Sequence, residues 1–488
     1  MPVIPSLRKC ISQLAGRSPK NLVPDATEFD VQYYLRRHPD LIDLDETQAI
    51  EHWVKFGKAE GRRGLPLIAD IIEGKPVSSA EAAINASNAK PETVFLVLHE
   101  ASRSGAPILG WNIARKLRET KNVVIILPRG GELIEPLSAV SNQVIQLGDG
   151  TSWWDTLELE YAAAALHDKY QPSYAIVNSA NGFPMAIALE NADVPVVGLV
   201  HEFAGNLRGP DGPLLGEFFD TISEVVFPAE VVAEAAWEHH YSDTNKPKPK
   251  YSIIPQGPTV RPPKVETPAI IESNLESPKF SLPEADMNVF LKELDPNAIL
   301  VLGTGQVIAR KGVDLFIQIA DYLARNSPKL NVKFAWIGEQ TDYFYSDQLL
   351  EQIRRSSDVE NLTFLAPEAE INWLNERANI FVLTSRLDPL PNAAMEAAFN
   401  GIPIISFDRA GGISEWLQAD DRHAELVVPY ADSVAVATLI ARLATNEAFR
   451  QNIGAELKDR ALRTFDLDSY VQKLDELGHR ASLGVRYG

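Results

Sequence analysis

Short apolar runs, many of them rich in valine and isoleucine, alternate with helical segments along most of the chain, and this alternation limits the fold more than any other feature. In the first half, helical segments such as 108–117 and 157–169 separate runs at residues 94–98, 123–127, 174–177, 196–200 and 225–227. Strands without a polar face, joined by helices, are typical of parallel sheets that are covered on both sides. The sequence therefore predicts the α/β class.

The same alternation returns in the second half and indicates a second α/β domain. Its runs lie at residues 299–302, 333–337, 362–364, 380–383 and 403–407. A chain of 488 residues is long enough for two or more domains. We divide it into a tail with a small α-helical module (1–66), a linker (67–90), a first α/β domain (91–255), a linker or insertion (256–297), a second α/β domain (298–465) and a last helix (466–488).

Two features precede the first α/β domain. Leu7, Ile11 and Leu14 lie at helical spacing among basic residues. A helix on a membrane surface is one interpretation of this pattern, and a helix packed on the protein or a loose tail is the other. In the module that follows, aromatic residues such as Tyr33 and Trp53 are predicted to form a small core. A docking face for a protein or a glycan is the alternative for these aromatic residues.

The composition excludes several classes of protein. With 46 Lys and Arg against 66 Asp and Glu, the net charge is −20, whereas nucleic-acid binding requires a basic face. Cys10 is the only cysteine, so an intrachain disulfide or a cysteine-rich metal site cannot form. The sequence has no apolar run long enough to span a membrane and no apolar signal core at its start. We therefore expect a cytoplasmic protein, and leave open a peripheral contact with the inner membrane face or with another protein through the N-terminal module.

The segment 385–415 carries the most specific pattern in the chain. The turn Asp388–Pro389–Leu390–Pro391 follows an apolar run, and we expect a helix to begin there, with Pro391 in its first turn and Asn392 as its cap. Gly401 is expected to end this helix. A helix N-terminus at the carboxyl end of a strand presents unpaired N–H groups and the positive end of the helix dipole, which suits a phosphate.

Two acids flank this helix start. Asp388 precedes it and Glu396 lies within it, eight positions further on. One carboxylate can face a sugar and the other a ribose. This acid-x7-Glu pattern, followed by Gly401-Ile402-Pro403 and Gly411-Gly412, resembles the signature of retaining glycosyltransferases of the large family GT4. The resemblance implies the GT-B fold, in which two Rossmann-like domains face each other across a cleft and a last helix crosses back to the first domain.

The loop 303–312 directly follows a predicted strand. It lacks the third glycine of a dinucleotide-binding loop, because position 308 is Ile, and it lacks the Gly-Lys-Ser/Thr of a P-loop. It is similar instead to the GT4 loop Gly-Arg-x-x-x-x-Lys-Gly. Gly305 and Lys311 match that loop, Gln306 stands in the place of its arginine, and Arg310 is expected to take over the arginine's role. Cations at this point would stabilise the negative charge that develops on a nucleoside diphosphate leaving group.

Two residues of the first domain complete the predicted site. Gly105 resembles the glycine loop at the start of GT4 first domains, although the family's second glycine is Ala106 here. A glycine at this point lets the backbone approach the donor. His201 follows the run 196–200 and resembles a histidine that lies in the family's cleft, which implies a hydrogen bond to the donor sugar or to the acceptor hydroxyl. A structural histidine is the alternative, and a His-Glu-x-x-His zinc motif is excluded because position 205 is Gly.

Together the resemblance and these residues predict a retaining glycosyltransferase that moves a sugar from a UDP- or GDP-sugar to a glycan, lipid-linked or protein acceptor. Bacterial surface polysaccharide assembly is the implied setting. Residues 26–66, with Tyr33-Tyr34-Leu35 near their start and Glu60-Gly61-Arg62 near their end, resemble a module found on bacterial glycosyltransferases and surface proteins. No metal or other cofactor is predicted. The Asp-x-Asp triplet 43–45 lies in the helical module, and the triplet 466–468 lies at the start of the last helix, where aspartate is a common cap. A non-catalytic GT-B partner subunit and a sugar-nucleotide epimerase are the alternatives.

Overall fold

Two parallel sheets, each with seven strands in the described part of the chain, form the body of the protein. The computed structural model describes residues 29–66, 91–147, 155–203, 212–241, 249–263, 282–356, 360–365 and 377–487. The predicted surface helix around Leu7 and the predicted linker 67–90 lie outside these residues.

A small helical module precedes the first sheet. It contains α1 (Val31–Arg37), a 3₁₀ turn (Pro39–Leu41), α2 (Glu46–His52) and a π-helical turn (Trp53–Gly57). Phe29 stacks on Trp53 with ring centroids 5.3 Å apart, and Tyr34 packs against both rings. These aromatic residues form the core of the module.

The first domain consists of one sheet with helices on both faces. Its strands, in the spatial order β3-β2-β1-β4-β5-β6-β7, are β1 (Thr93–Leu98), β2 (Asn122–Leu127), β3 (Gln143–Gln146), β4 (Tyr174–Asn178), β5 (Val196–Leu199), β6 (Glu224–Phe227) and β7 (Tyr251–Ile253). Its helices are α3 (Gly105–Leu117), α4 (Ile134–Ala139), α5 (Thr156–Tyr170), α6 (Phe183–Asn191), α7 (Gly212–Thr221) and α8 (Glu230–Tyr241).

Side chains alternate between the two faces of each buried strand, which explains why the runs are apolar throughout. Along β1, Phe95 and Val97 enter the cluster with α5 and α6, whereas Leu96 and Leu98 enter the cluster on the other face with α3. A parallel sheet that is covered on both sides leaves no position for a polar face. The predicted α/β class is therefore confirmed.

The module is attached to α5 of the first domain. The Tyr33 side chain is fully buried, and its hydroxyl donates to Glu158 Oε1 at 2.6 Å. Arg36 pairs with Glu160 at 2.6 Å, and Arg37 pairs with Asp155. Tyr33 thus serves the contact with the first domain and not the core of the module, which was the position predicted for it.

The second domain repeats the arrangement in the spatial order β14-β13-β12-β9-β10-β11-β8. Its strands are β8 (Glu284–Ala285), β9 (Ile299–Thr304), β10 (Val332–Ile337), β11 (Leu362–Leu365), β12 (Ile380–Leu383), β13 (Ile404–Phe407) and β14 (Val427–Val428). Its helices are α9 (Met287–Glu293), α10 (Val313–Asn326), α11 (Tyr343–Arg355), α12 (Asn392–Phe399), α13 (Gly412–Gln418), α14 (Ser433–Thr445) and α15 (Glu447–Thr464).

One boundary in the sequence analysis was wrong. Residues 256–297 were predicted to form a linker or insertion, but Glu284 and Ala285 pair with β11, and α9 packs on the core of the second domain. A strand of two residues is too short to show an alternating pattern in the sequence. It is defined only by its pairing with the neighbouring strand.

The last helix, α16 (Leu467–Tyr487), lies on the first domain. Tyr470, Val471 and Leu474 are buried in the cluster formed with α3 and β1. Asp466 caps the helix by accepting the N–H of Ser469 at 2.7 Å. The segment at Gly257, which leaves the first domain, lies against the start of α16, where the chain returns to that domain. A Cβ added at Gly257 would lie only 2.1 Å from the Leu467 nitrogen.

Candidate active site

A cationic cluster lies at the carboxyl edge of the second sheet, where the strand order reverses between β9 and β12. Lys311 Nζ lies 2.5 Å from Asp388 Oδ2, and Arg310 lies 3.6 Å from Asp388 Oδ1. The Ser385 hydroxyl donates to Asp388 Oδ2 at 3.0 Å. Loops at such a reversal point are the usual ligand-binding position in open α/β sheets. The structure therefore joins three of the predicted site residues, Arg310, Lys311 and Asp388, in one cluster.

Electrostatics keep this cluster positively charged. Burial by itself would raise the pKa of Asp388, but the charges of Lys311 and Arg310, with hydrogen bonds from Lys311 and Ser385, outweigh burial and hold the pKa below its ordinary value. Two cations and one ionised carboxylate leave one net positive charge. The side chain of Lys311 is 15% exposed and that of Arg310 is 33% exposed, whereas that of Asp388 is 9% exposed. The cations thus remain accessible to an anionic ligand, while the carboxylate fixes their position.

Two glycines make room for the Lys311 loop. Gly305 has a φ of +137°, and a Cβ there would lie 3.0 Å from Lys311 Cδ. Gly312 has a φ of +67°, and a Cβ there would lie 2.1 Å from the Thr384 carbonyl oxygen. Side chains at these positions would be strained and would displace Lys311 or the strand that leads to Asp388. The predicted residue Gly305 therefore lies directly beside the predicted cation.

The helix α12 begins immediately after Asp388–Pro391, but not with the predicted cap. Pro391 has extended backbone and precedes the helix, and Asn392 is the first helical residue. The Asn392 side chain accepts a hydrogen bond from Gln256 Nε2 at 3.4 Å, so it contacts the chain crossing between the domains and does not cap the helix. Gly401, with a φ of +72°, follows the last turn as predicted. Glu396, one turn into α12, is partly buried.

The first sheet has a corresponding cluster where its own strand order reverses, between β1 and β4. His99 follows β1, Asn178 ends β4, and His201 follows β5. His201 Nε2 lies 2.9 Å from Asn178 Oδ1. Burial, and to a lesser degree the neighbouring His99, lower the pKa of His201 to about 4. The imidazole is therefore neutral at neutral pH and acts as a hydrogen-bonding group.

The backbone next to this cluster is strained. Ser179 has a φ of +94°, which is uncommon for a residue with a side chain. Glu202 holds the turn by accepting hydrogen bonds from the Ser179 hydroxyl at 2.6 Å and from the N–H groups of Ala180 and His201, each at 3.1 Å. Strained residues of this kind concentrate at functional sites. Glu202 thus fixes both the turn that follows Asn178 and the backbone of His201.

The predicted residue Gly105 is the first residue of α3. A Cβ added there would meet no described atom within 4 Å, so internal packing does not require a glycine. The neighbouring Ala106 carbonyl accepts a hydrogen bond from Asn178 Nδ2 at 2.6 Å. The start of α3 and His201 are therefore linked through one amide side chain.

The two domains touch beside these clusters. Gln256 Nε2 donates to the Leu390 carbonyl at 3.3 Å, and Leu387 packs on the core of the first domain. Glu415 of α13 accepts the N–H groups of Glu230 and Val231, at 3.2 and 2.9 Å, at the start of α8. The loop that carries Asp388 thus lies at the domain boundary. In the described residues no hydrogen bond or ion pair joins the Lys311 cluster to the His201 cluster.

Sequence reasoning missed Asn178, Ser385, Gln256 and Glu415 as parts of this region. The sequence does contain a signal for Asn178. It is a polar residue directly after the apolar run 174–177, and the next strand along the chain leads to His201. Gln256 lies in a segment interpreted as linker, and its role depends on tertiary contact alone.

Asp45 accepts the N–H of Gln48 at 2.8 Å and caps α2, so one carboxylate of the triplet 43–45 is used within the module. In the described ranges, groups of three or more His, Cys, Asp or Glu side chains arranged to hold a metal ion are absent. Every helix in the same ranges is too short or too polar to cross a bilayer.

Comparison with known families adds evidence for the second domain. Residues 296–446 match the family model for glycosyl transferases group 1. An uncharacterized glycosyltransferase of Haemophilus influenzae is 24% identical over 119 residues, which are 24% of this chain and 32% of that protein. The Vi polysaccharide biosynthesis protein VipC/TviE of Salmonella typhi is 24% identical over 177 residues, 36% of this chain and 27% of that protein. The chain thus matches about a third of the length of these curated relatives.

Solved structures cover more of the chain. HepE of Anabaena, crystallised in complex with UDP-glucose, superposes with a TM-score of 0.61 at 17% identity, over 79% of this chain and 98% of HepE. Sucrose-phosphate synthase of Thermosynechococcus elongatus superposes with a TM-score of 0.60 at 16% identity, over 80% of this chain and all of the synthase, 100%. At such identities the likeness concerns the fold, and it confirms the two-domain arrangement that the sequence predicted.

Proposed function

We propose that this chain is a retaining glycosyltransferase of the GT4 type, a proposal supported by its GT-B fold and by the match of residues 296–446 to the family model for glycosyl transferases group 1. The observation that carries the proposal is the cationic cluster of Arg310 and Lys311 around the buried Asp388. It lies at the strand reversal of the second sheet, beside the start of α12. A fixed positive charge next to a helix N-terminus is suited to the diphosphate of a nucleotide sugar.

Five predicted residues of the second domain receive a role in donor binding. Lys311 and Arg310 pair with the diphosphate, together with the N–H group of Asn392 at the start of α12. Glu396 accepts hydrogen bonds from the ribose hydroxyls. Asp388 holds the two cations and contacts a sugar hydroxyl through Oδ1, because Oδ2 already accepts from Lys311 and Ser385. The UDP-glucose bound to HepE supports a UDP-sugar as the first donor to test.

The reaction transfers a glycosyl group with retained configuration. The bond between the anomeric carbon and the diphosphate oxygen breaks, and the acceptor oxygen bonds to the same face of the sugar. The acceptor hydroxyl gives its proton to the departing phosphate oxygen. Lys311 and Arg310 stabilise the charge on that oxygen without a metal ion. His201, neutral because its pKa is about 4, takes part through hydrogen bonding and does not supply a proton.

The acceptor is proposed to be a growing glycan or a lipid-linked glycan. The partial similarity to a Vi polysaccharide biosynthesis protein supports polysaccharide assembly as the setting.

Gly105, at the start of α3, leaves room for the donor sugar to approach the first domain.

The proposal is tested by incubating the purified full-length chain with a panel of UDP- and GDP-sugars, with and without a chelator, and measuring nucleoside diphosphate release. We expect release with one donor class, increased by glycan acceptors and unaffected by the chelator. Thermal shift with UDP and GDP identifies the nucleotide independently, since a ligand that binds only the folded state stabilises it.

The alternatives give different results in the same experiment. An epimerase would convert the sugar nucleotide without needing an acceptor, and a binding subunit would show a thermal shift with no turnover. The absence of both turnover and a thermal shift with every nucleotide would refute the proposed function.

A further inference from the structure

The side-chain amide of Asn178 has only one orientation that satisfies its neighbours. One side of the amide lies 2.6 Å from the Ala106 carbonyl oxygen, and the other side lies 2.9 Å from His201 Nε2. A carbonyl oxygen can only accept a hydrogen bond, so the NH₂ group must face Ala106. The amide oxygen therefore faces His201.

This orientation determines which nitrogen of His201 carries the proton. An amide oxygen only accepts, so His201 Nε2 must donate. A neutral imidazole has one N–H group, and the other nitrogen, Nδ1, then carries a lone pair. In the described residues, no hydrogen bond to His201 Nδ1 is present.

We infer that Asn178 is a positioning residue that holds His201 in the Nε2–H form, so that His201 Nδ1 accepts a hydrogen bond from a substrate hydroxyl. The assignment of the proton depends on the geometry alone, whereas the substrate hydroxyl rests on the proposed function. The site thereby selects a group that donates, such as a sugar hydroxyl, at the point where His201 contacts the substrate.

The surroundings of Asn178 are built to hold this amide. The residue is 1% exposed, at the end of β4. A Cβ added at Gly110 of α3 would lie 2.3 Å from Leu98 Cδ2 and 3.1 Å from Asn178 Nδ2, so the absence of a side chain there leaves space for both the leucine and the amide. On its other side, the strained Ser179 is fixed by the partly buried Glu202. A packed amide with both of its hydrogen-bonding groups engaged has little freedom to turn over.

The proton position can be measured directly by NMR on the full-length protein labelled with ¹⁵N-histidine. The chain has 9 histidines, and comparison with His201→Gln assigns the signals of His201. In the ligand-free protein we expect Nε2, the nitrogen that couples to both ring carbon-bound protons, to have the chemical shift of a protonated nitrogen. Nδ1 is expected to have the shift of an unprotonated one.

Variants of Asn178 separate positioning from general packing. Asn178→Leu removes the acceptor, and we expect a mixture of the two tautomers. Asn178→Asp retains an acceptor oxygen and is expected to keep the Nε2–H form. Asn112→Leu is the matched control, because Asn112 is a fully buried amide of α3 that bonds to Val260 and not to the histidine. It should leave the His201 signals unchanged.

The hydroxyl is tested with deoxy and deoxyfluoro analogues of UDP-glucose. Fluorine cannot donate, so at the position that contacts His201 both analogues should lose affinity equally, by roughly tenfold, as expected for one hydrogen bond. In Asn178→Leu the loss caused by either analogue should shrink. A fluoro analogue that binds as well as the parent at every position would mean that His201 donates instead, and would overturn the inference.

The two proposals fail in different ways. A wild-type spectrum with the proton on Nδ1, or an Asn178→Leu spectrum identical to wild type, overturns the role of Asn178 whatever the enzyme does. If Asn178→Leu does not fold, the wild-type spectrum still decides the position of the proton, and a proton on Nδ1 overturns the inference. The expected tautomer without binding of any sugar nucleotide would leave the assignment of the proton intact and refute the proposed function.

Discussion

Replacing Lys311 with alanine tests the cationic cluster most directly. The ammonium group lies 2.5 Å from Asp388 Oδ2, and its side chain is 15% exposed. Without it, Arg310 at 3.6 Å and the Ser385 hydroxyl at 3.0 Å remain around the carboxylate. The net charge of the cluster falls from one positive unit to zero. The site would then lose its attraction for a developing negative charge while Asp388 keeps two partners.

The expected effect on catalysis follows from electrostatics. At an effective dielectric constant of about 20, a unit charge about 4 Å from a phosphate oxygen is worth about 4 kcal/mol. Water enters the space left by a partly exposed side chain and recovers some of this, so we expect a loss of about 3 kcal/mol. That corresponds to a decrease of on the order of a hundredfold in kcat. Because Lys311 also pairs with the diphosphate of the bound donor, kcat/KM should fall at least as much as kcat.

The variant should also be less stable. Removing one partner of a fully buried ion pair costs about 3 to 5 kcal/mol, and the remaining contacts of Asp388 should reduce this to about 2 kcal/mol of unfolding free energy. Urea denaturation measures the stability, and a coupled assay of nucleoside diphosphate release measures kcat. Lys329→Ala, which removes an exposed lysine of the same domain, is the control and should leave both quantities unchanged. Folded Lys311→Ala protein with wild-type turnover would refute the assignment of Lys311 to the leaving group.

Three further predictions concern the same region. Glu396→Ala should weaken UDP binding by roughly tenfold to a hundredfold, the range for hydrogen bonds to a charged group, and unchanged affinity in calorimetry would discard the ribose assignment. Gly312→Ala should lower the free energy of unfolding by at least about 2 kcal/mol, because φ is +67° and the new Cβ would lie 2.1 Å from the Thr384 carbonyl oxygen. Gly105→Ala is the control in the same denaturation experiments, because its Cβ would meet no described atom within 4 Å. The pKa of Asp388 lies below its ordinary value of 3.8, so the ionised carboxylate adds stability above that pH and this stability is lost as the pH falls through the lower pKa of the folded state. The difference in unfolding free energy between wild type and Asp388→Asn should therefore be constant above about pH 5 and shrink below about pH 4. A difference that grows in acid would contradict the ionised pair.

Much of the fold followed from the sequence because its strands are buried on both faces. Runs such as 94–98 and 380–383 are apolar throughout, and glycine or proline bounds many of them, so their existence and type could be predicted. The strands that were missed, such as Gln143–Gln146 and Glu284–Ala285, are short edge strands. Their identity depends on a neighbouring strand and not on their own pattern.

The candidate site divides in the same way. Lys311, Gly305 and Asp388 were predicted from loops that follow strands, and the structure brings them into contact. Asn392 was predicted as a cap, but it is the first residue of its helix and its side chain contacts Gln256 instead. Helix starts after a proline are ambiguous, because the φ of proline suits both an extended and a helical residue.

What the sequence determined by itself is local: which segments are strands or helices, where glycine is required, and which charged residues follow the strands. Those properties depend on backbone sterics and on the periodic pattern of apolar residues, and both are determined by residues that are close together in the sequence. What the tertiary structure decided is which of these residues meet. Asn178 contacts His201 and Ala106 because the reversal of strand order places β4 between β1 and β5. The direction of that hydrogen bond, and with it the proton on His201, comes from parts of the chain far apart in sequence, whose approach no local pattern encodes.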